Sequence, residues 1–225
     1  PAASGDGHQV AFESAATNLV ANDTNGASDI FLFNLGTAST TRLSVTSSGG
    51  EANGASRSPA INAGATAVAF ESDATNLIAA DTNGVTDVFV RLIGPGATGR
   101  ASVRADGRQA TAASAAPTLS DDARFVAFAS DDASLVSGDT NGLRDAFQRD
   151  RSASTTNRVS VGPGGGSSGT SEGVSVNAGG EVVAFESNAT DVTSPATSGA
   201  LHVFIRAATP AGGPGTTRVV SVALN

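Results

Sequence analysis

The chain has 225 residues and a formal net charge of −8, and all 13 of its bases are Arg, scattered singly. Binding a phosphate backbone needs a dense basic face, so no nucleic-acid partner is expected. There is no Cys, Met, Trp or Tyr, which excludes disulfides and thiolate chemistry and leaves the core to Val, Ala, Leu, Ile and ten Phe.

No apolar run approaches the ~18–20 residues of a bilayer span, and no basic-then-apolar leader is present, so no membrane span is expected. The chain starts at Pro1 without Met, consistent with a processed form, an excised domain or part of a longer protein. Val10-Ala11-Phe12 recurs as Val68-Ala69-Phe70, Val126-Ala127-Phe128 and Val183-Ala184-Phe185, with steps of 58, 58 and 57. A second Phe follows at Phe31, Phe89, Phe147 and Phe204, so eight of the ten Phe hold two repeated positions and are assigned to the core. A third anchor, Arg42-Leu43-Ser44-Val45, recurs at Arg100–Val103, Arg158–Val161 and, after a longer loop, Arg218 to Val222. Four repeats, 1–58, 59–116, 117–173 and 174–225, fill one domain.

Within the second repeat, β-rich runs are predicted at Ser56–Asn62, Ala67–Glu71, Asp87–Leu92 and Arg100–Arg104. Hairpin turns are read at Ser4-Gly5-Asp6-Gly7, Asn62-Ala63-Gly64 and Ser120-Asp121-Asp122. No useful helical periodicity is present. The predicted fold class is all-β, a β-propeller of four-stranded antiparallel blades, in which every sheet buries both faces.

Pro-x-x-Ser-x-Asp-Gly followed by Val-Ala-Phe-x-Ser resembles the repeat of TolB-like, WD-type bacterial propellers. Pro1–Gly7 matches best, Pro59–Gly64 and Pro117–Asp122 match in part, and the fourth repeat departs with Val174 in place of Pro. The resemblance implies a propeller, commonly exported or attached to the cell surface, and no single activity.

Between the second and third strands, Asp23-Thr24-Asn25-Gly26-Ala27-Ser28-Asp29 recurs as Asp81–Asp87 and Asp139–Asp145. Calcium takes six to eight oxygens, and such a loop offers side-chain oxygens from Asp23, Asn25 and Asp29 and the carbonyl of Ala27. The other copies offer Asp81, Asn83, Asp87 and the Val85 carbonyl, and Asp139, Asn141, Asp145 and the Leu143 carbonyl. The pattern is similar to the latter part of the Asp-x-Asp-x-Asn-Gly-x-x-Asp loop of integrin-type calcium propellers. Its first acid is missing: Ala21, Ala79 and Ser137 stand there, with Asn18, Asn76 and Ser134 upstream as replacement donors. The alternative is a set of Asx-turns closed by Asn-Gly. The fourth repeat carries Ala196, Ser198 and His202 beside Pro195 and is expected to bind no calcium, so Ca2+ would rigidify loops, at up to three sites, without nucleating the fold.

Glu13, Glu71 and Glu186 follow the first Phe in three repeats, with Ala129 in the third. They are expected to line a channel, or to pair with repeated Arg such as Arg42, Arg100 and Arg218, or with backbone amides between blades. His8 and His202 occupy unrelated positions with no evident nucleophile, and the Asp121-Asp122 and Asp131-Asp132 pairs point apart. The loops between the second and third strands and the Gly-rich connections between repeats are expected on one face. The expected function is therefore a non-enzymatic extracellular, cell-surface or periplasmic scaffold that binds protein or glycan on that face. A self-associating filament or surface-layer subunit is the alternative, and a hydrolase or lyase with a carboxylate-lined cavity is the third.

Overall fold

In the computed structural model, residues 1–207 and 215–221 are described, and among them no segment is helical and no helix is long and apolar enough to cross a membrane. Each repeat forms one sheet of four consecutive antiparallel strands. The first holds β1 (Ala2–Ala3), β2 (Gln9–Ser14), β3 (Asp29–Asn34) and β4 (Ser39–Arg42), and the second β5 (Ser56–Ile61), β6 (Ala67–Ser72), β7 (Asp87–Leu92) and β8 (Thr98–Arg100). The third holds β9 (Ser114–Leu119), β10 (Phe125–Ser130), β11 (Asp145–Asp150) and β12 (Thr155–Arg158), and the last β13 (Ser171–Val176), β14 (Val182–Ser187), β15 (His202–Ala207) and β16 (Thr216–Val219). The frame drawn at Pro59, Pro117 and Val174 passes through β5, β9 and β13 at a bulge in each, where Ser58, Ala116 and Gly173 take φ of 53°, 52° and 58°.

Alternation along each strand gives every sheet two unlike faces. In β6 and β7, Val68, Phe70 and Phe89 pack back on Ala11, Ile30, Leu32 and Leu43 of the first sheet. Ala67, Ala69, Val88 and Val90 pack forward on Val126, Phe128 and Phe147 of the third. The third repeats this against the fourth, with Ala127, Ala129 and Ala146 under Phe185 and Phe204. Within each sheet the two Phe lie directly opposite in register, with centroids 5.7, 6.0, 5.9 and 5.5 Å apart in chain order. Such stacking adds about 0.5–1.5 kcal/mol per pair beyond area burial.

The fourth strand of each sheet differs from its expected position. In the second repeat it spans Thr98–Arg100 and ends at the Arg where the sequence places its start. Beyond Arg100 the chain leaves the ladder because the Ser102 hydroxyl accepts the Val88 N–H at 3.1 Å and donates to Asp87. The fourth repeat departs further. Arg42, Arg100 and Arg158 stand opposite Phe31, Phe89 and Phe147, but Val219 stands opposite Phe204, and Arg218 lies opposite Ile205. Ser221 accepts the Val203 N–H as Ser44 accepts that of Ile30, yet it follows its Arg by three residues instead of two. That extra residue turns Arg218 to the opposite face, since strand side chains alternate. Val222, assigned to this segment, lies outside the described residues.

Phe128 is fully buried against the preceding sheet, whereas Phe12, at the same repeat position, packs against no such sheet among the described residues and is half-buried. Phe128→Ala should therefore destabilise by about 3–5 kcal/mol, and Phe12→Ala by roughly half that or less. Equal shifts of the two denaturation midpoints would contradict the polarity of the stack.

Candidate functional site

The β2–β3 loop and its two successors are shaped by two left-handed positions each. Asn22, Ala80 and Gly138 (φ 60°, 59° and 85°) precede the first Asp, and Gly26, Gly84 and Gly142 (64°, 67° and 65°) follow the Asn. Between them an Asx-turn closes: Oδ1 of Asn25, Asn83 and Asn141 accepts the N–H of Ala27, Val85 and Leu143 at 2.8, 3.4 and 2.9 Å. The same Asn donates from Nδ2 to the second Asp (Asp29, Asp87, Asp145) at 3.0, 2.8 and 2.9 Å. It also donates to the carbonyl of Ala52, Ala110 or Ser167 in the following connection, at 3.0 to 3.1 Å.

The repeated Arg enters between the two Asp. Arg42 Nη1 lies 3.3 Å from Asp23 and 3.4 Å from Asp29, Arg100 Nη1 lies 3.1 Å from Asp81 and 2.8 Å from Asp87, and Arg158 Nη1 lies 2.8 Å from Asp139 and 3.5 Å from Asp145. The second Asp of each pair is completed by the hydroxyl of Ser44, Ser102 or Ser160. Burial pushes the Asp23, Asp81 and Asp145 carboxyls up from their ordinary value, against the pull of the guanidinium. The first copy adds Glu51, which accepts from the Thr24 N–H and hydroxyl at 2.8 and 2.7 Å and from Arg42 at 2.5 Å. Those bonds, the Thr24 N–H foremost, hold its carboxyl down at about 2.

The donor set read for calcium is thus brought together, with a guanidinium among its acids. Asp23, Asp29 and Glu51 form the one three-acid cluster of metal-binding dimensions found among the described residues. Asn25, Asn83 and Asn141 turn their amide N–H groups, not their oxygens, toward the acids. Of the upstream donors, Asn76 is bonded to Asn53 N–H and the Glu51 carbonyl instead. Buried atoms without a hydrogen bond have both signs: Asp23 Oδ1, which only the Arg42 ion pair reaches, and Asp139 Oδ2 on one side, Arg42 Nε and Arg100 Nε on the other. A metal would satisfy only the former, so as held these residues do not fit a calcium cage.

In the fourth repeat all three partners change together: Ala196, His202 and Val219 stand for Asp, Asp and Arg. The place of the guanidinium becomes a hollow of about 520 Å³ lined by Pro195, Ala196, Ser198, His202, Val219 and Ser221 among others. His202 Nε2 lies 3.3 Å from Ser198 Oγ and Nδ1 lies 3.1 Å from Ser221 Oγ. Ser198 lies four residues before His202 in the chain, and Ser221 reaches the ring from just beyond β16.

Neither Glu13 nor Glu71 meets the repeated Arg. Glu13 accepts from the Ser28 hydroxyl and from Ser58 N–H, and Glu71 from Ala116 N–H, so each reaches a backbone amide at the bulge of the next sheet. The Arg partner suggested for them is corrected, because Arg42 and Arg100 are already held by the loop acids. Loops and connections do share one face and are bonded across it: Asn53 to Thr75 and Asn76, Thr82 to Gln109, Thr111 to Asp132, Ser168 to Thr190 and Asp191. A second recurring Arg went unnoticed in the sequence. Arg91, Arg149 and Arg206 donate to the carbonyls of Thr46, Arg104 and Val161 in the preceding connection, and their step of 58 and 57 residues was the available signal.

No protein-family model matches the chain, and no curated protein matches it in sequence. Solved structures do. TolB from Acinetobacter baumannii superposes over 97% of this chain and 42% of its own (TM-score 0.53, 16% identity). A putative TolB from Agrobacterium tumefaciens does so over 96% and 62% (0.57, 14%), and the β-propeller domain of the Trilobed protease from Pyrococcus furiosus over 98% and 55% (0.51, 10%). The four sheets are therefore propeller blades, and the chain spans about two fifths to three fifths of the length of these structures.

Arg100→Met leaves Asp81 and Asp87 without a counter-charge and should destabilise by about 3–5 kcal/mol. Installing the fourth-repeat trio, Asp81→Ala with Asp87→His and Arg100→Val, should cost less than half of that, and an equal or larger loss in chemical denaturation would refute the cluster as a unit. Because the Glu51 carboxyl is held below its ordinary 4.5, its contribution is present above that pH and is lost as pH falls toward about 2. The stability gap between wild type and Glu51→Gln should shrink over that window and stay constant above it.

Proposed function

We propose that the chain is a non-catalytic propeller module, extracellular or periplasmic, whose loop face is a rigid platform for a protein or glycan partner. The observation that carries this reading is the line of side-chain bonds tying each connection to the loops on either side of it, from the first blade to the fourth. A surface fixed in this way is pre-organised, so a ligand meets little ordering cost. In this reading the arginines are the resident cations of the three loops, and the chain needs no calcium to hold them. Export is what the TolB-type resemblance implies, and cell fractionation tests it.

A second reading is favoured by one arrangement, the His202 ring between Ser198 and Ser221 in an open hollow. It assigns hydrolysis to the fourth blade, with Ser198 as nucleophile and His202 as base. Ester and peptide substrates separate the two: turnover by the wild type that His202→Ala abolishes would select the hydrolase. Ligands from a defined glycan array or peptide library, lost on Thr111→Ala or Asn53→Ala with no turnover, would select the platform.

Chelation and added calcium should both leave the melting temperature unchanged. A calcium-dependent rise, or protease cutting of residues 73–86 on chelation, would restore the metal reading.

A further inference from the structure

Asparagine in the frame Asn-x-Ser/Thr is the acceptor for N-linked oligosaccharide, and the chain holds two such triplets, Asn22-Asp23-Thr24 and Asn188-Ala189-Thr190. They differ in what precedes them. Glu186 stands two residues before Asn188, which gives the longer frame Asp/Glu-x-Asn-x-Ser/Thr that single-subunit oligosaccharyltransferases require, whereas Val20 stands before Asn22. The longer frame belongs to the repeat. Glu13-Ser14-Ala15-Ala16-Thr17 and Glu71-Ser72-Asp73-Ala74-Thr75 share it, with Ala or Asp in the acceptor position.

The bonding separates the two triplets in the same sense. Thr24 gives both its N–H and its hydroxyl to Glu51, at 2.8 and 2.7 Å. Asn188 follows the last residue of β14 and is exposed, as is Thr190, with buried Ala189 anchoring the chain between them. Asn188 Oδ1 accepts the Thr170 N–H at 2.9 Å, and its Nδ2 makes no hydrogen bond among the described residues. Asp73 and Asp131 hold the same repeat position in blades packed on both sides, and their side chains are still 41 and 49% exposed. The position therefore faces solvent wherever it falls in the stack.

We propose that Asn188 is an N-glycosylation site that takes an oligosaccharide from a polyprenyl diphosphate donor. Nδ2 attacks the anomeric carbon and forms the new C–N bond. The bond from that carbon to the diphosphate oxygen breaks, the polyprenyl diphosphate leaves with the electron pair, and the amide releases one proton to water. Glu186 and Ser187 are paired with Val203 and His202 in the β14–β15 ladder, so the frame enters a transferase before this hairpin forms. After folding, the sugar extends from an exposed side chain whose bond to Thr170 runs through Oδ1, and the ladder is untouched. The site rests on the export proposed above, because such donors deliver their sugar on the far side of a membrane.

A purified single-subunit oligosaccharyltransferase and a polyprenyl diphosphate oligosaccharide are mixed with the chain freshly diluted from urea, and intact mass is read. The wild type should gain one oligosaccharide on its 22.0 kDa and refold to the melting temperature of the unmodified chain. Asn188→Gln and Glu186→Gln should each lose the gain, and Asn22→Gln should keep it. Ala15→Asn, which completes the frame in the first repeat, should add a second oligosaccharide. None of these transfers needs the variant to be folded. A wild type that gains nothing, a gain that survives Asn188→Gln, or a modified chain that no longer refolds would overturn the proposal. Cell fractionation reads export by itself: a cytoplasmic location would fail that reading and leave the acceptor result standing, whereas an exported chain that the transferase leaves unmodified would fail this one alone.

Discussion

Everything in this molecule depends on one packing rule, the fit of a Phe-bearing sheet face against a face of smaller aliphatic side chains. Phe70 and Phe89 fill the space that Ala11, Ile30 and Leu32 leave, and Phe185 and Phe204 fill the space left by Ala127, Ala129 and Ala146. A large residue on both faces would hold the sheets apart, and a small one on both would leave cavities, each of which costs contact energy throughout its lining. The rule gives the stack a direction. It also fixes the distance between blades, and with it the distance between the loops that the blades carry.

The loop chemistry follows from that spacing. Once blades sit at packing distance, the connection leaving one blade lies alongside both its own loop and the next, and Glu51, Gln109, Thr111 and Ser168 bond there. Inside each of the first three loops, two buried acids are offset by one guanidinium and a Ser hydroxyl. A buried charge group of this kind is a poor source of net stability, since desolvation opposes the ion pairs, but removing one member alone is costly. The fourth blade has lost both acids and the Arg together, as that asymmetry requires. Its hollow with His202 occupies the place of the missing guanidinium.

Much of this is legible in the sequence. Periodicity assigned the Phe pairs, the extent of β7 and the number of units, because a side chain repeated at a fixed interval in a sheet protein must hold an equivalent place in an equivalent sheet. The left-handed Gly26, Gly84 and Gly142 were legible in the same way, as the Asn-Gly turn requires them. The acids of the loop were recognised as a cluster, and their partner was not. Asp81 lies in the β6–β7 loop and Arg100 at the end of β8, 19 residues on, and no spacing rule joins them.

The sequence by itself determined the repeat, the first three strands of the unit and the recurring core, since those rest on alternation and local turn chemistry that any short segment expresses. Only the tertiary structure decided which cation sits among the acids and that Val219, not Arg218, takes the repeated position. Each of these depends on the register between strands, where a shift of one residue moves a side chain to the opposite face. Register is set by distant hydroxyls such as those of Ser102 and Ser221, through bonds that exist only once the strands have met.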